Sequence, residues 1–275
     1  MPEDRFLKWF SNECIVNDLD MRKPIIVLGM HRSGTSFLVR SLNLSGLWLG
    51  PDSSIFSVEG RGFPGNPKGN YEGMEIISIN DHLLSSSGGA WYKPPQKLEL
   101  PESASSRMRL VLHRIESTQP KNYITWGWKD PRTVLTLDAW KSVMKRDVSL
   151  VASFRHPHMV AASLFARDGI PMELGYSLWG YYNQYLLHHM ERNDAILVRF
   201  DVDGPVLVTQ VIRAIEWLGL LPDKDRILEW YDKNLVRSSK GDEHKYTALF
   251  NSVAHIWDDL IRKYNSQEQL VNSDA

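Results

Sequence analysis

Short apolar runs alternate along this chain with longer stretches whose apolar positions recur at helical spacing. The runs at 25–28, 123–128, 148–154 and 195–200 read as strands, and those at 25–28 and 148–154 are apolar enough to be buried on both faces. Helical spacing occupies 35–44, 74–84, 102–116, 133–145, 157–167, 172–191 and 201–218, and 223–264 reads as helices interrupted by a polar loop at 237–246. Strand alternating with helix implies an α/β fold, a three-layer sandwich with a central parallel sheet and helices on both faces. No linker divides residues 1–275, so one domain is expected, with 24–200 as its core, 201–264 as a helical carboxy-terminal part and 265–275 as a frayed tail. Phe6, Leu7, Trp9 and Phe10 among charges suggest a short amphipathic helix at 4–20. Residues 47–73, rich in glycine and proline, are too long for an ordinary connection, and loops of that length are usually functional or disordered.

The first strand, loop and helix carry the strongest chemical signal. Gly29 and Gly34 flank four residues, and the hydroxyls Thr35 and Ser36 follow. Backbone N–H groups at a helix amino terminus favour a tetrahedral anion by hydrogen bonding and by the dipole. A nucleotide P-loop has lysine where Thr35 stands, and Arg32 is the nearest replacement cation. A triphosphate also needs Mg²⁺ held by an acid at another strand end, yet the strand at 148–154 runs into Arg155. The loop is therefore built for an anion but not for ATP–Mg. The plainer alternative is that both glycines only let a strand turn tightly into a helix.

Composition narrows the partners. A net charge of −1 gives no general attraction to nucleic acid or an anionic membrane, so any anion site is local. Cys14 is the one cysteine, which excludes an internal disulfide and suits a reducing compartment. Charges throughout residues 1–23 make that segment neither a signal sequence nor a membrane span. The expectation is a soluble, cytoplasmic protein with a small-molecule or carbohydrate partner, no nucleic acid, no membrane and no metal.

Three of the four strands end in a cation before a helix: Arg32, Lys129 and Arg155. Ligands of parallel sheets lie outside the carboxyl ends of the strands, so these cations suit a ligand with several separated anionic groups. Asp130 and Pro131 read as an N-cap and first-turn pair, which leaves Lys129 unexplained. Ser163, eight residues beyond Arg155, lies inside a helix where serine commonly bonds its own backbone. Trp91 either faces a substrate or caps the core, and the helix carrying Trp179, Tyr181, Tyr182 and Tyr185 either lines a cavity or fills the core.

Taken together these residues resemble the sulfotransferases that use 3′-phosphoadenosine 5′-phosphosulfate (PAPS). Their 5′-phosphosulfate loop is similar to His31-Arg32-Ser33-Gly34-Thr35-Ser36, and their 3′-phosphate motif to Arg155 with Ser163. Lys129 to Pro131 resembles a segment of tyrosylprotein and bacterial members, and residues 66–72, 80–81 and 89–91 resemble the bacterial branch. The likeness spans about 25–200; a Gly-rich 3′-phosphate loop of the cytosolic branch is not evident, and 237–245 is a candidate substitute. It implies a P-loop-like sulfotransferase fold and transfer of a sulfuryl group from PAPS to an acceptor hydroxyl, of a carbohydrate or a small alcohol or phenol, releasing adenosine 3′,5′-bisphosphate. By the same resemblance, His31 to Ser36 would hold the 5′-phosphate, Lys129 and Arg32 would offset developing charge, and Arg155 with Ser163 would hold the 3′-phosphate. Glu72 is the first choice of general base, Glu59 the second and His31 the third. Two rivals are a P-loop small-molecule kinase using ATP–Mg and a nucleotide-binding module without catalysis.

Overall fold

Ile25–Leu28 (β1) is buried along its whole length, which places it inside a parallel sheet covered on both faces. The computed structural model describes residues 23–56, 68–231 and 243–273. In it β1 pairs in parallel with β5 (Thr125–Lys129) on one side and β6 (Ser149–Phe154) on the other. Leu47–Trp48 (β2) and Ala195–Arg199 (β7) form the edges, giving the order β2-β5-β1-β6-β7. Alternate residues of β1 feed two cores. Ile26 and Leu28 share one with α2 (Met74–Ser86), α3 (Glu102–Ser117), α4 (Thr133–Met144), α5 (Pro157–Asp168), α6 (Met172–Glu191) and α9 (Thr247–Ser273). Ile25 and Val27 share the other with α1 (Thr35–Leu44), α7 (Gly204–Trp217) and α8 (Lys224–Trp230). The α/β sandwich with helices on both faces is the architecture that the alternating pattern implies.

Three boundaries differ from the sequence reading. Residues 47–73 are not one loop, because Leu47 and Trp48 add β2 to the sheet, and Ile55–Phe56 (β3) pairs antiparallel with Glu72–Gly73 (β4). Strands of two residues carry no periodicity, so only their partners reveal them. The ladder of β5 continues through Lys129, which stands level with Val27 and is 1% exposed; Lys129 lies inside the sheet rather than beyond its edge. The stretch expected as a frayed tail continues α9 to Ser273. The amphipathic helix expected at 4–20, Glu59, Arg237 and Lys240 lie outside the described residues.

The helical carboxy-terminal stretch has a definite task. Gln267 Oε1 accepts the N–H of Leu197 at 3.0 Å and its Nε2 donates to the carbonyl of Ala195 at 3.0 Å, so a side-chain amide completes the ladder of an edge strand. Nearby, Arg213 pairs with Glu268 at 2.6 Å. Gln267→Ala is expected to lower stability by about 1–2 kcal/mol, the scale of two unmade bonds to a partly wet strand. Chemical denaturation measures it, and an unchanged midpoint would mean that water replaces the amide at no cost.

Candidate active site

The loop between β1 and α1 is shaped by two close approaches. A Cβ at Gly34 (φ +89°) would lie 2.0 Å from the Phe200 ring, and one at Gly29 (φ +143°) would lie 2.4 Å from the carbonyl oxygen of Ser153. Packing therefore requires both glycines, and they do not by themselves argue for a ligand. Arg32 is different: it holds a left-handed backbone (φ 69°) that costs a non-glycine residue about 1–2 kcal/mol. Ser33 directs both its N–H (3.2 Å) and its hydroxyl (2.6 Å) to the carbonyl of Met30, while its own carbonyl accepts from the Ser153 hydroxyl. Ser33 thus shapes the loop and has no donor left to offer an anion. Thr35 and Ser36, in the first turn of α1, line the cavity described below.

Register sets where Arg155 stands. Leu28 of β1 is level with Ala152 of β6, so Arg155, three residues on, reaches the middle of the loop. Its Nη1 donates to the carbonyl of Arg32 at 3.4 Å, and its guanidinium lies 5.6 Å from the Phe200 ring. The Trp179 indole holds the Arg155 carbonyl at 2.9 Å. Arg32 in turn donates from Nε to the hydroxyl of Ser163 at 2.8 Å. Arg32, Arg155 and Ser163 are therefore one cluster, although 131 residues separate Arg32 from Ser163. Arg155 is 5% exposed, and its Nε and Nη2 are buried without a hydrogen-bond partner. Burial draws its pKa down to about 10, against the pull of Asp201 and with a contribution from Arg32.

A second cluster lies on the other side of β1. Lys129 Nζ donates to Glu72 Oε1 at 2.6 Å and stands 3.4 Å from the Ser36 hydroxyl. Both partners of this ion pair are buried. Burial pushes the Glu72 carboxyl above its ordinary range; Lys129 pulls it back, while Asp130 adds to the rise. The pair opens on a cavity of about 340 Å³ lined also by His31, Arg32, Trp91 and the first turn of α2. The His31 ring lies 4.5 Å from Trp91, and its Nε2 is buried without a partner. Desolvation, then the cations Arg132, Arg167, Lys129 and Arg32, hold its pKa well below the ordinary value, so His31 is neutral at neutral pH.

The turn after β5 is fixed from α2. Asn80 donates to Asp130 (2.8 Å) and Thr133 (3.1 Å) and accepts from Thr136 (2.7 Å) and Trp140 (2.8 Å). Asp130 also accepts from the backbone N–H (3.2 Å) and Nη1 (2.9 Å) of Arg132. The N-cap position belongs to Arg132 and not to Asp130, whose carboxylate holds the turn ahead of the helix. Burial opposes the charge of Arg132, but the carboxylates of Asp130 and Asp81 outweigh it and push its pKa up.

Several cavity residues carry no distinctive signal along the chain. Arg167 reaches the site only through the packing of helices, whereas the turn after β5 carries Arg132 there. Met74 and Ile77 could have been found, because they sit three apart on a helix that starts two residues after Glu72. Among the described residues no helix is long and apolar enough to cross a membrane.

No family model matches the chain, and no curated protein matches it. Among solved structures the chain is similar to the sulfotransferase domain from the Synechococcus PCC 7002 olefin synthase, at 16% identity over 80% of this chain and 85% of that one, with a TM-score of 0.46. It is similar also to the sulfotransferase domain from the curacin biosynthetic pathway, at 16% identity over 80% of this chain and 81% of that one, with a TM-score of 0.44.

Proposed function

We propose that this protein transfers a sulfuryl group from PAPS to an acceptor hydroxyl and releases adenosine 3′,5′-bisphosphate. The observation that carries this reading is Arg155, a nearly buried guanidinium with two nitrogens, Nε and Nη2, that have no hydrogen-bond partner, beside a loop that ends in a helix amino terminus. A buried cation with unmade bonds costs stability unless an anion completes it, which suits a 3′-phosphate. On the other side of the loop, Lys129 stands between Ser36 and Glu72, where a cation would offset the charge that grows on the leaving phosphate oxygen. The new bond joins the acceptor oxygen to sulfur, the bond from sulfur to the phosphate oxygen breaks, and Glu72 takes the acceptor proton. Its raised pKa makes it a stronger base than an ordinary carboxylate.

The ATP–Mg reading meets an obstacle at Asp130. This acid follows the strand next to β1, where an NTPase would carry its metal ligand, but its oxygens already accept from Asn80 and Arg132. Incubation with labelled PAPS and a mixed panel of alcohols, phenols and sugars should give adenosine 3′,5′-bisphosphate, and EDTA should leave the rate unchanged. Complete loss on chelation, restored by Mg²⁺, would return the kinase reading to first place. Binding of the bisphosphate without turnover of any acceptor would favour a nucleotide-binding module.

A further inference from the structure

We infer that the acceptor is an uncharged alcohol or phenol with an apolar body, received on a wall formed by Met74, Ile77, Phe56 and Trp91. This rests on the sulfuryl-transfer reading and concerns the same cavity. The cavity is lined by the loop, Lys129 and Glu72 and, among apolar side chains, by Met74, Ile77, Phe56 and Trp91, the last lying against the His31 ring at 4.5 Å. Glu72 lies in the short strand that Gly73 joins to α2, and Met74 and Ile77, three residues apart on that helix, both line the cavity with the carboxylate.

Exposure distinguishes this wall from ordinary core. Met74 is 46% exposed, Phe56 44%, and Tyr92, whose ring meets Trp91 edge-on at 5.6 Å, 52%. Single exposed apolar residues are common, but Met74 and Phe56 both line a cavity of about 340 Å³, and Tyr92 adjoins its Trp91, which makes a surface fit for an apolar ligand. The wall is also held in place: Tyr182 donates to the Trp91 carbonyl and Tyr181 to the Pro95 carbonyl, each at 3.0 Å.

Charge argues against an anionic acceptor. Arg132 and Arg167 both line the cavity, yet Arg132 pairs with Asp81 at 2.7 Å and Asp130 at 2.9 Å, and Arg167 with both oxygens of Asp168 at 2.8 Å. Their charges are compensated within the protein. A sugar is disfavoured because each hydroxyl laid on this wall would lose water without gaining a partner.

The test uses Met74→Asp. Residue 74 is the first of α2, where an acid is favoured by the helix dipole, so the fold should be retained while the wall gains a charge. Release of adenosine 3′,5′-bisphosphate from PAPS is measured with 2-naphthol, 1-octanol, methyl glucoside and 4-hydroxybenzoate. The first two should show KM values lower by roughly tenfold or more, and Met74→Asp should raise them by a similar factor while calorimetric affinity for the bisphosphate stays constant. Preference for the glucoside or the carboxylate, or unchanged KM values in the variant, would overturn the inference and leave sulfuryl transfer standing. If no acceptor is turned over, sulfuryl transfer fails instead. Calorimetric titration of 2-naphthol into the two proteins then decides the wall separately: tighter binding to the wild type supports it, and equal binding rejects it.

Discussion

Glu72→Gln should lower turnover by about 10²- to 10⁴-fold and leave the affinity for adenosine 3′,5′-bisphosphate unchanged, because it removes a proton acceptor and no part of the anion cradle. Its position gives the prediction a second arm. Lys129 Nζ lies 2.6 Å from Glu72 in a buried setting, so the amide leaves an ammonium whose charge is no longer matched. Because burial outweighs the attraction of Lys129 and raises the carboxyl pKa, the uncharged amide should nonetheless leave stability at neutral pH unchanged or slightly higher, and the double variant Glu72→Gln with Lys129→Met should raise it further without recovering any rate. The pH dependence supplies a third check. Burial holds the Glu72 carboxyl above the ordinary carboxylate range, and the base works only when ionised. The acid limb of kcat/KM should lie above the pH expected for an ordinary glutamate and disappear in the variant. The stability sign is opposite to that of a salt-bridged acid with a lowered pKa. A carboxyl whose folded pKa is raised loses stability as pH rises from its unfolded toward its folded pKa, since the unfolded chain gives up the proton first. A Glu72→Gln variant with near wild-type turnover would move the base to Glu59 or His31.

Arg155→Met should have opposite effects on ligand binding and on the ligand-free protein. Affinity for adenosine 3′,5′-bisphosphate should fall by about 1.5–3 kcal/mol, the scale of a hydrogen bond to a charged group, while affinity for 5′-AMP should hardly change. Ser163→Ala should act in the same direction and less, because Ser163 reaches the cluster through Arg32. Without ligand, Arg155→Met should raise stability by about 1 kcal/mol, since it replaces a buried charge lacking two partners with an apolar side chain of similar length. Burial lowers this guanidinium to about 10, so below that pH both folded and unfolded chains are protonated and the penalty is constant. The gain should accordingly be flat between about pH 6 and 9. Titration calorimetry and thermal unfolding measure the two halves. Equal losses for both nucleotides would end the 3′-phosphate assignment, and a fall in stability would mean that the bond from Arg155 to the Arg32 carbonyl holds the loop.

Much of this site could be read along the chain because its signals are local. Gly29, Gly34, Thr35 and Ser36 sit within one strand, turn and helix, and the apolar runs before Arg155 and around Lys129 mark their strands without help from distant residues. Once those strands are parallel, their carboxyl ends lie on one side of the sheet, which puts Arg32, Lys129 and Arg155 about the same loop, though in two clusters on either side of β1. The roles of Ser33 and Ser163 were not legible in this way. Ser33 lies in the loop and Ser163 inside a helix, yet the loop serine closes its bonds on Met30 and the helical one meets Arg32.

By itself the sequence determined the alternation of strands and helices, the loop that opens α1 and the presence of a cation at or near the carboxyl end of three strands. Only the tertiary structure decided that Glu72 pairs with Lys129 across 57 residues, that Leu47 and Trp48 form a strand and that Gln267 completes β7. It alone brought Phe56 and Trp91 to the same cavity as Met74 and Ile77. The division follows from the range of the forces involved. Propensity, capping and hydrophobic period act within a few residues, whereas an ion pair or a ladder bond depends on which surfaces meet when the layers pack, and that is a property of the whole core.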